Sequence, residues 1–191
     1  MIIKEVNSEG RIEVERVYYN SFNVVLEKDM LCRWWTTSVY YDHDKKVLVG
    51  TNGRCLVLFN LQKVDIAKLK GVKSGTFKLQ KISKQCYLVP TSEIDYPNYQ
   101  RTIPEYTNNF LSKKYAYRGT MTGEDAQFIY EVISEVNAPI CIPYLKTLKG
   151  LGAISGSYDK RPLIKGYPNT GNQPLKFTFE VGVFMLMPLN K

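Results

Sequence analysis

Runs of apolar, β-branched and aromatic residues dominate the first half of the chain and predict antiparallel strands. In residues 47–59, two apolar runs flank the pair Asn52 and Gly53. Both residues tolerate positive φ, so the pattern predicts a hairpin closed by a two-residue type I′ turn. Residues 32–41 are rich in aromatic and β-branched side chains and predict the preceding strand, and the charged residues 42–46 predict the turn between the two.

The segments on either side of this hairpin are less uniform. Residues 11–29 combine alternating apolar positions with apolar positions at helical spacing, which leaves both helix and strand open. Residues 63–70 predict a short helix that ends at Gly71. Residues 76–82 and 85–89 predict a pair of strands joined by a tight turn.

The second half of the chain mixes helical and extended patterns. A capping-box pattern at Thr122, followed by apolar residues at i, i+3, i+4 and i+7, predicts a helix, and residues 143–150 predict a second, shorter one. Residues 155–173 are rich in Gly and Pro and predict a loop that can hold one short strand. Residues 175–181 and 183–189 predict two closing strands, the second buried on both faces.

The predicted elements define an α+β protein with antiparallel sheets and short helices. The 14 Tyr and 8 Phe among 191 residues favour sheet over a helical bundle. Residues 94–104 contain several chain breakers and form the best domain boundary, so we expect one domain at 1–104 and a second, shortened domain at 105–191.

Charge and cysteine content narrow the function classes. The formal charge of +8 makes a polyanion or an acidic partner a candidate, although no single run of Lys and Arg concentrates it. No Cys-x-x-Cys pair is present, so we expect buried thiols in a reducing compartment rather than a zinc or redox site. The start of the chain has no signal-peptide pattern, which predicts a soluble, cytoplasmic protein. The cysteines are Cys32, Cys55, Cys86 and Cys141.

Catalytic chemistry has little support in the sequence. The only histidine is His43, which lies in the charged turn between Asp42 and Asp44. Side chains of adjacent residues diverge, so these three do not predict a metal site, and no phosphate-binding glycine motif is present. We therefore expect a non-catalytic protein that needs no cofactor.

Three stretches together resemble the bacterial DNA polymerase III beta subunits, the sliding clamps. Gly50-Thr-Asn-Gly-Arg-Cys-Leu56 is similar to their Ala-Thr-Asp-Gly-His-Arg-Leu hairpin. Tyr96-Pro-Asn-Tyr-Gln-Arg-Thr-Ile-Pro104 is similar to their Phe-Pro-Asp-Tyr-Arg-Arg-Val-Leu-Pro connector, and the tail Phe184-Met-Leu-Met-Pro-Leu-Asn-Lys191 to their Tyr-Val-Val-Met-Pro-Met-Arg-Leu. The order of the motifs also agrees.

The resemblance implies a clamp-like fold whose domains encircle duplex DNA as a ring and tether a DNA polymerase. It also implies a surface pocket for short peptides of polymerases and clamp loaders. The lysines of the second predicted helix, Lys146 and Lys149, are the implied DNA contacts. The implied pocket residues are Thr51, Gly53, Arg54, Leu56, Pro97, Arg101, Thr102, Met185, Leu186, Met187, Pro188 and Leu189.

The sequence also departs from the clamp pattern. We expect no equivalent of the family's N-terminal domain, so a ring would need another number of subunits, such as three two-domain chains. Positions 54 and 55 are Arg and Cys where the family has His and Arg. Two alternatives stay open: a clamp-fold adaptor or decoy that binds peptides without encircling DNA, and a nucleic-acid-binding domain that stacks bases on surface aromatics.

Overall fold

Antiparallel strands and two short helices form the described part of this computed structural model, and the predicted α+β class is confirmed. The structure describes residues 1–26, 34–92, 95–103, 163–165, 174–179 and 181–186. The chain divides into two units, Met1–Tyr99 and Gln100–Lys191. The assignment of two clamp-like domains divided at residue 104 stays a prediction.

The first unit contains seven strands and two helices in its described residues. In spatial order, its strands run β1, β2, β7, β6, β3, β4, β5, and every pair of neighbours is antiparallel. The elements are β1 (Ile3–Val6), β2 (Ile12–Val14), α1 (Arg16–Val25), β3 (Ser38–Asp42), β4 (Val47–Thr51), β5 (Cys55–Asn60), α2 (Lys63–Lys68), β6 (Gly75–Ile82) and β7 (Gln85–Pro90).

The second unit is described only in three strands, β8 (Leu163–Lys165), β9 (Leu175–Phe179) and β10 (Gly182–Leu186). Strand β9 pairs with both others in antiparallel register. The two closing strands are thus confirmed over the described residues, and β8 is the short strand that residues 155–173 could hold. The helices predicted from Thr122 and over residues 143–150 lie outside the described residues.

Two predictions about local structure were wrong in part. Residues 32–41 were expected to be one strand, but within the described residues Trp34–Thr37 form a 3₁₀ helix and the strand begins at Ser38. The hairpin itself is confirmed as β4 and β5, but its turn is not type I′, because Thr51 pairs with Leu56 and Gly53 has positive φ while Asn52 does not. The Asn52 side chain accepts main-chain hydrogen bonds, which stabilises this longer connection.

The ambiguous residues 11–29 contain both predicted patterns, since β2 is followed directly by α1. Helix α2 ends at Lys68, and Gly71 adopts the positive φ of 88° that favours glycine after a helix. Strand β1 was not predicted. Its alternation is short, and contacts far along the chain hold it in place.

Helix α1 packs on one face of the first unit's sheet through aromatic rings. Tyr18 and Phe22 both meet Phe59 of β5 edge to face, with ring centroids 4.9 Å and 5.2 Å apart. Phe22 is fully buried. A methyl group added at Gly50 would lie only 2.8 Å from Cδ1 of Phe22, so glycine at this point of β4 lets the helix approach the sheet closely.

Helix α2 is tied to β1 by one buried carboxylate. Oδ1 of Asp65 accepts hydrogen bonds from the main-chain N–H groups of Ile2 and Ile3 at 2.7 Å and 2.8 Å. Its Oδ2 accepts the N–H of Gln62 at 3.1 Å and so caps its own helix. Nζ of Lys68 donates to the carbonyl of Ile3 at 2.8 Å. The main-chain N–H and carbonyl of Ile3, the first residue of β1, are therefore both bonded to side chains of α2.

We predict that Gly50→Ala lowers the free energy of unfolding by about 1 to 3 kcal/mol, because the methyl group overpacks against a ring that has no free space to move into. Gly75→Ala is the matched control, since a methyl group there meets nothing within 4 Å and φ is not positive. We expect that control to stay within about 0.5 kcal/mol of the wild type in chemical denaturation. Equal losses in the two variants would show that the Phe22 contact is not the cause.

Candidate functional site

The connection between β4 and β5 is held rigid by its own side chains. Oγ1 of Thr51 donates to the carbonyl of Cys55 at 2.7 Å and accepts the N–H of Gly53 at 3.1 Å. Oδ1 of Asn52 accepts the N–H groups of Arg54 and Cys55, both at 2.9 Å. The turn therefore satisfies its own main-chain donors, and it leaves Arg54 exposed at its tip.

The connector between the last strand of the first unit and residue 99 lies on β3. The ring of Tyr96 stacks on Tyr40 with centroids 4.9 Å apart and planes 8° from parallel. The hydroxyl of Tyr99 donates to Oδ2 of Asp42 at 2.8 Å. Since Tyr40 points away from the face that carries α1, the connector covers the opposite face of the sheet.

The hydroxyl of Tyr96 is buried and has no hydrogen-bond partner among the residues that the structure describes. Burial raises its pKa, and the main chain of Thr51 is near enough to oppose that rise slightly. No described atom meets this hydroxyl in hydrogen-bond geometry, and the main chain of Thr51 is a close neighbour. The structure thus brings the hairpin and the connector together at Thr51 and Tyr96.

The predicted pocket residues of the first unit differ in exposure. Gly53, Arg54 and Pro97 are exposed, and Thr51 is half-buried. Leu56 is only 5% exposed, so its side chain offers little free apolar surface in this conformation. A peptide that docks here meets the exposed turn and Pro97 first.

The predicted pocket residues of the second unit also differ in exposure. Arg101 and Thr102 are exposed in a 3₁₀ helix that spans Tyr99–Thr102. Met185 and Leu186 of β10 are buried, at 4% and 0% exposure, as expected of a strand covered on both faces. The remaining predicted pocket residues, Met187, Pro188 and Leu189, lie outside the described residues. The pocket as a whole stays a prediction.

The exposed residues of the two described helices are a second set of candidates. Burial, and after it the charge of Asp65 in α2, raises the pKa of Tyr18 in α1 to about 12. Helix α1 contains no acidic residue, and the one acidic residue of α2, Asp65, is fully buried. The exposed residues of α1 and of the α2 region include Arg16, Asn20, Asn23, Val24, Lys63 and Lys70.

We call the exposed cations Arg16, Lys63 and Lys70 the helix-surface cations. The described part of each helix presents no exposed carboxylate that would repel a polyanion. Sequence reasoning did not single out these residues. Arg16 lies in the segment whose secondary structure stayed ambiguous, and Lys63 and Lys70 lie at the ends of a helix that was predicted without a role. The DNA contacts that it did predict, Lys146 and Lys149, lie outside the described residues.

The contacts of His43 are with neighbouring structural residues. Its ring atom Nδ1 lies 3.3 Å from the hydroxyl of Tyr41, and its main-chain N–H donates to Oγ of Ser74 at 2.9 Å. Within the described ranges, His, Cys, Asp and Glu side chains form no group of three or more that could hold a metal ion. The two cysteines in those ranges, Cys55 and Cys86, are buried free thiols. No helix in the described part of the chain is long and apolar enough to cross a membrane.

Comparison with known proteins gives likeness of fold only. No protein-family model and no curated protein matches the chain. The DNA polymerase III beta chain of Streptococcus pneumoniae is 12% identical with a TM-score of 0.48, and the alignment covers 91% of this chain and 62% of that one. The DNA polymerase III beta subunit of Thermotoga maritima is 11% identical with a TM-score of 0.46 (99% and 68% covered).

The DNA polymerase sliding clamp of Pseudomonas aeruginosa is 8% identical with a TM-score of 0.45, and the alignment covers 95% of this chain and 67% of that one. The chain therefore spans about two thirds of the length of these solved structures, and less than two thirds of the first. They belong to the group of proteins whose motifs the sequence resembles.

We predict that Tyr96→Phe raises the free energy of unfolding by about 1 kcal/mol, because it removes a buried hydroxyl that has no partner while keeping the ring stacked on Tyr40. Tyr99→Phe is the matched control and should lower stability by about 1 to 2 kcal/mol, because it removes a bond to the Asp42 carboxylate. Chemical denaturation of both variants measures the difference. A loss of stability in Tyr96→Phe would mean that the hydroxyl is bonded.

Proposed function

We propose that this protein is a non-catalytic, clamp-like DNA polymerase processivity factor of the cytoplasm. In this proposal it binds duplex DNA without sequence preference and tethers partner proteins through a pocket for short peptides. Ring closure would use several copies of the chain, for example three. The proposal rests on the motif resemblance and on the surfaces of the first unit.

The helix surface is the observation that carries the DNA part of the proposal. Arg16, Lys63 and Lys70 are exposed, and neither helix contains an exposed carboxylate within its own residues, although the side chain of Glu15 directly before α1 is 38% exposed. Lys and Arg contact phosphate oxygens without reading base edges, so binding of this kind is independent of sequence and steeply dependent on salt. The formal charge of +8 favours the same partner at long range.

The rigid turn and the connector support the peptide part. Hydrogen bonds within the turn hold Thr51 and Arg54 in place, and Tyr96 lies beside Thr51. A preorganised site of this kind loses little conformational entropy when a peptide binds. Arg54 at the exposed tip favours peptides that carry an acidic side chain beside their apolar anchors.

One observation favours the adaptor or decoy as a second candidate. The exposed positions of α1 beyond Arg16 are Asn20, Asn23 and Val24, so this helix contributes a single cation. A surface with few cations makes few phosphate contacts and binds DNA weakly at physiological salt. A chain that binds peptides but stays a monomer at micromolar concentration would favour this candidate over a ring.

We predict that replacing Arg16 and Lys70 with Gln weakens duplex binding and makes the slope of log affinity against log salt less steep by about 2, since two phosphate contacts are lost. Fluorescence anisotropy with duplexes of unrelated sequence measures both quantities. The matched control replaces Lys81 and Lys84, which are exposed on the β6–β7 hairpin and carry the same charge. Strong preference for one sequence, or equal effects of the two variants, would argue against the helix surface.

A labelled peptide with paired Leu and Phe anchors should bind the wild type with a Kd of about 1 μM. We predict that Met187→Ala weakens the binding free energy by about 1 to 3 kcal/mol if the residue is a central anchor, and that Arg54→Ala weakens binding of an acidic version of the peptide. Lys84→Ala is the control for the loss of one exposed turn cation. Unchanged affinity in both variants, with unfolding curves like the wild type, would remove the pocket from the proposal.

A further inference from the structure

Three loops of the first unit meet at one end of the sheet. The turn at residues 42–46 joins β3 to β4, and the N–H of His43 donates to Oγ of Ser74, which precedes β6, at 2.9 Å. On the other side of the turn, the N–H of Leu61 donates to the carbonyl of Lys46 at 2.9 Å. The loops thus form one continuous edge across the ends of β6, β3, β4 and β5.

This edge carries a row of exposed lysines. We call Lys45, Lys46 and Lys73 the sheet-end lysines, and Lys63 at the start of α2 flanks them. Neighbouring strands lie about 4.8 Å apart, so the ends of four strands extend over about 14 Å. That length matches several successive phosphates of a nucleic acid strand, which follow one another about every 3.4 Å along a duplex.

The carboxylates near this edge are mostly occupied by internal hydrogen bonds. Asp42 accepts the N–H of Lys45 at 3.0 Å and the hydroxyl of Tyr99 at 2.8 Å. Asp65 is buried and accepts three main-chain N–H groups. Asp44 is the one exposed acidic residue within 42–46 and 72–75. Counting Lys45, Lys46, Lys63 and Lys73 against Asp42 and Asp44, this edge keeps a formal excess of two positive charges.

The sheet-end lysines also differ from other cations of the first unit. Lys4 lies 3.3 Å from Glu13, and Nε of Arg11 lies 2.9 Å from Glu9. None of the sheet-end lysines forms an ion pair with a residue that the structure describes. Exposed cations without carboxylate partners keep their full charge available for an external anion.

We propose that the sheet-end lysines bind the phosphate backbone of a nucleic acid, at a surface separate from the helix-surface cations. A row of lysines with no large exposed apolar side chain in 42–46 or 72–75 suits an extended array of phosphates. An anionic membrane usually needs apolar residues beside the cations for stable binding, and these loops lack them. The proposal shares with the proposed function only the need for nucleic-acid binding.

The test replaces Lys45, Lys46 and Lys73 with Gln and measures binding of a labelled duplex of about 20 base pairs between about 50 and 200 mM salt. We expect the salt slope to become less steep by about 2 to 3, which corresponds to the loss of up to three phosphate contacts. The matched control replaces Lys78, Lys81 and Lys84, which are exposed and remove the same charge. We expect less than a third of that change in the control.

The possible outcomes separate this proposal from the proposed function. Equal losses in the sheet-end variant and the control would attribute the effect to net charge and overturn the proposal, as would an unchanged sheet-end variant. If only the variant of Arg16 and Lys70 loses binding, the proposed function stands and this inference fails. If only the sheet-end variant loses binding, the inference stands and the helix surface is not the DNA contact.

Two further measurements complete the test. Thermal unfolding of each variant confirms that folding is intact, which we expect because all replaced side chains are exposed. Vesicles that contain anionic lipid serve as the competing polyanion. If the wild type binds vesicles more tightly than DNA and the sheet-end variant loses that binding, the surface is assigned to a membrane and the nucleic-acid proposal is overturned. A wild type that binds no DNA would also overturn the proposal.

Discussion

The buried carboxylate of Asp65 joins parts of the first unit that lie far apart along the chain. It accepts three main-chain N–H groups, two from the start of β1 and one from the start of α2. Strand β1 stands first in the spatial strand order, whereas α2 follows β5, which stands last among the strands of this unit. One side chain therefore connects opposite ends of that order, and without it three donors would lose their partner in a buried place.

The packing of α1 explains a departure from the clamp motif. The hairpin motif that this chain resembles has Ala where Gly50 stands, and Phe22 fills the space that the alanine methyl group would need. Phe22 is in turn held by the ring of Phe59. A large aromatic residue on the helix and a missing methyl group on the strand compensate for each other, so neither position can be interpreted without its partner.

Local patterns predicted the elements whose causes are local. The strands β4 to β7 follow from apolar runs bounded by turn residues, and α2 follows from its periodicity and Gly71. The turn type was wrong because the Asn52 side chain replaced the expected main-chain geometry. Strand β1 and the position of the connector could not be predicted, since Asp65 and the bond from Tyr99 to Asp42 act across 57 residues or more. The pocket stays a prediction; the burial of Met185 follows from the pattern of the last strand, whereas that of Leu56 does not follow from the hairpin motif.

The same hydrogen bonds that organise the fold also determine where its charge is available. The excess of basic over acidic residues is spread along the sequence, so the sequence alone does not show which surface carries it. Folding buries Asp65 against main-chain N–H groups and bonds Asp42 to the N–H of Lys45 and the hydroxyl of Tyr99, while Lys45, Lys46 and Lys63 stay exposed. Both carboxylates keep their charge, but within the described residues neither forms a direct ion pair with these lysines. The electrostatic surface of the first unit is therefore a consequence of how its main chain is held together.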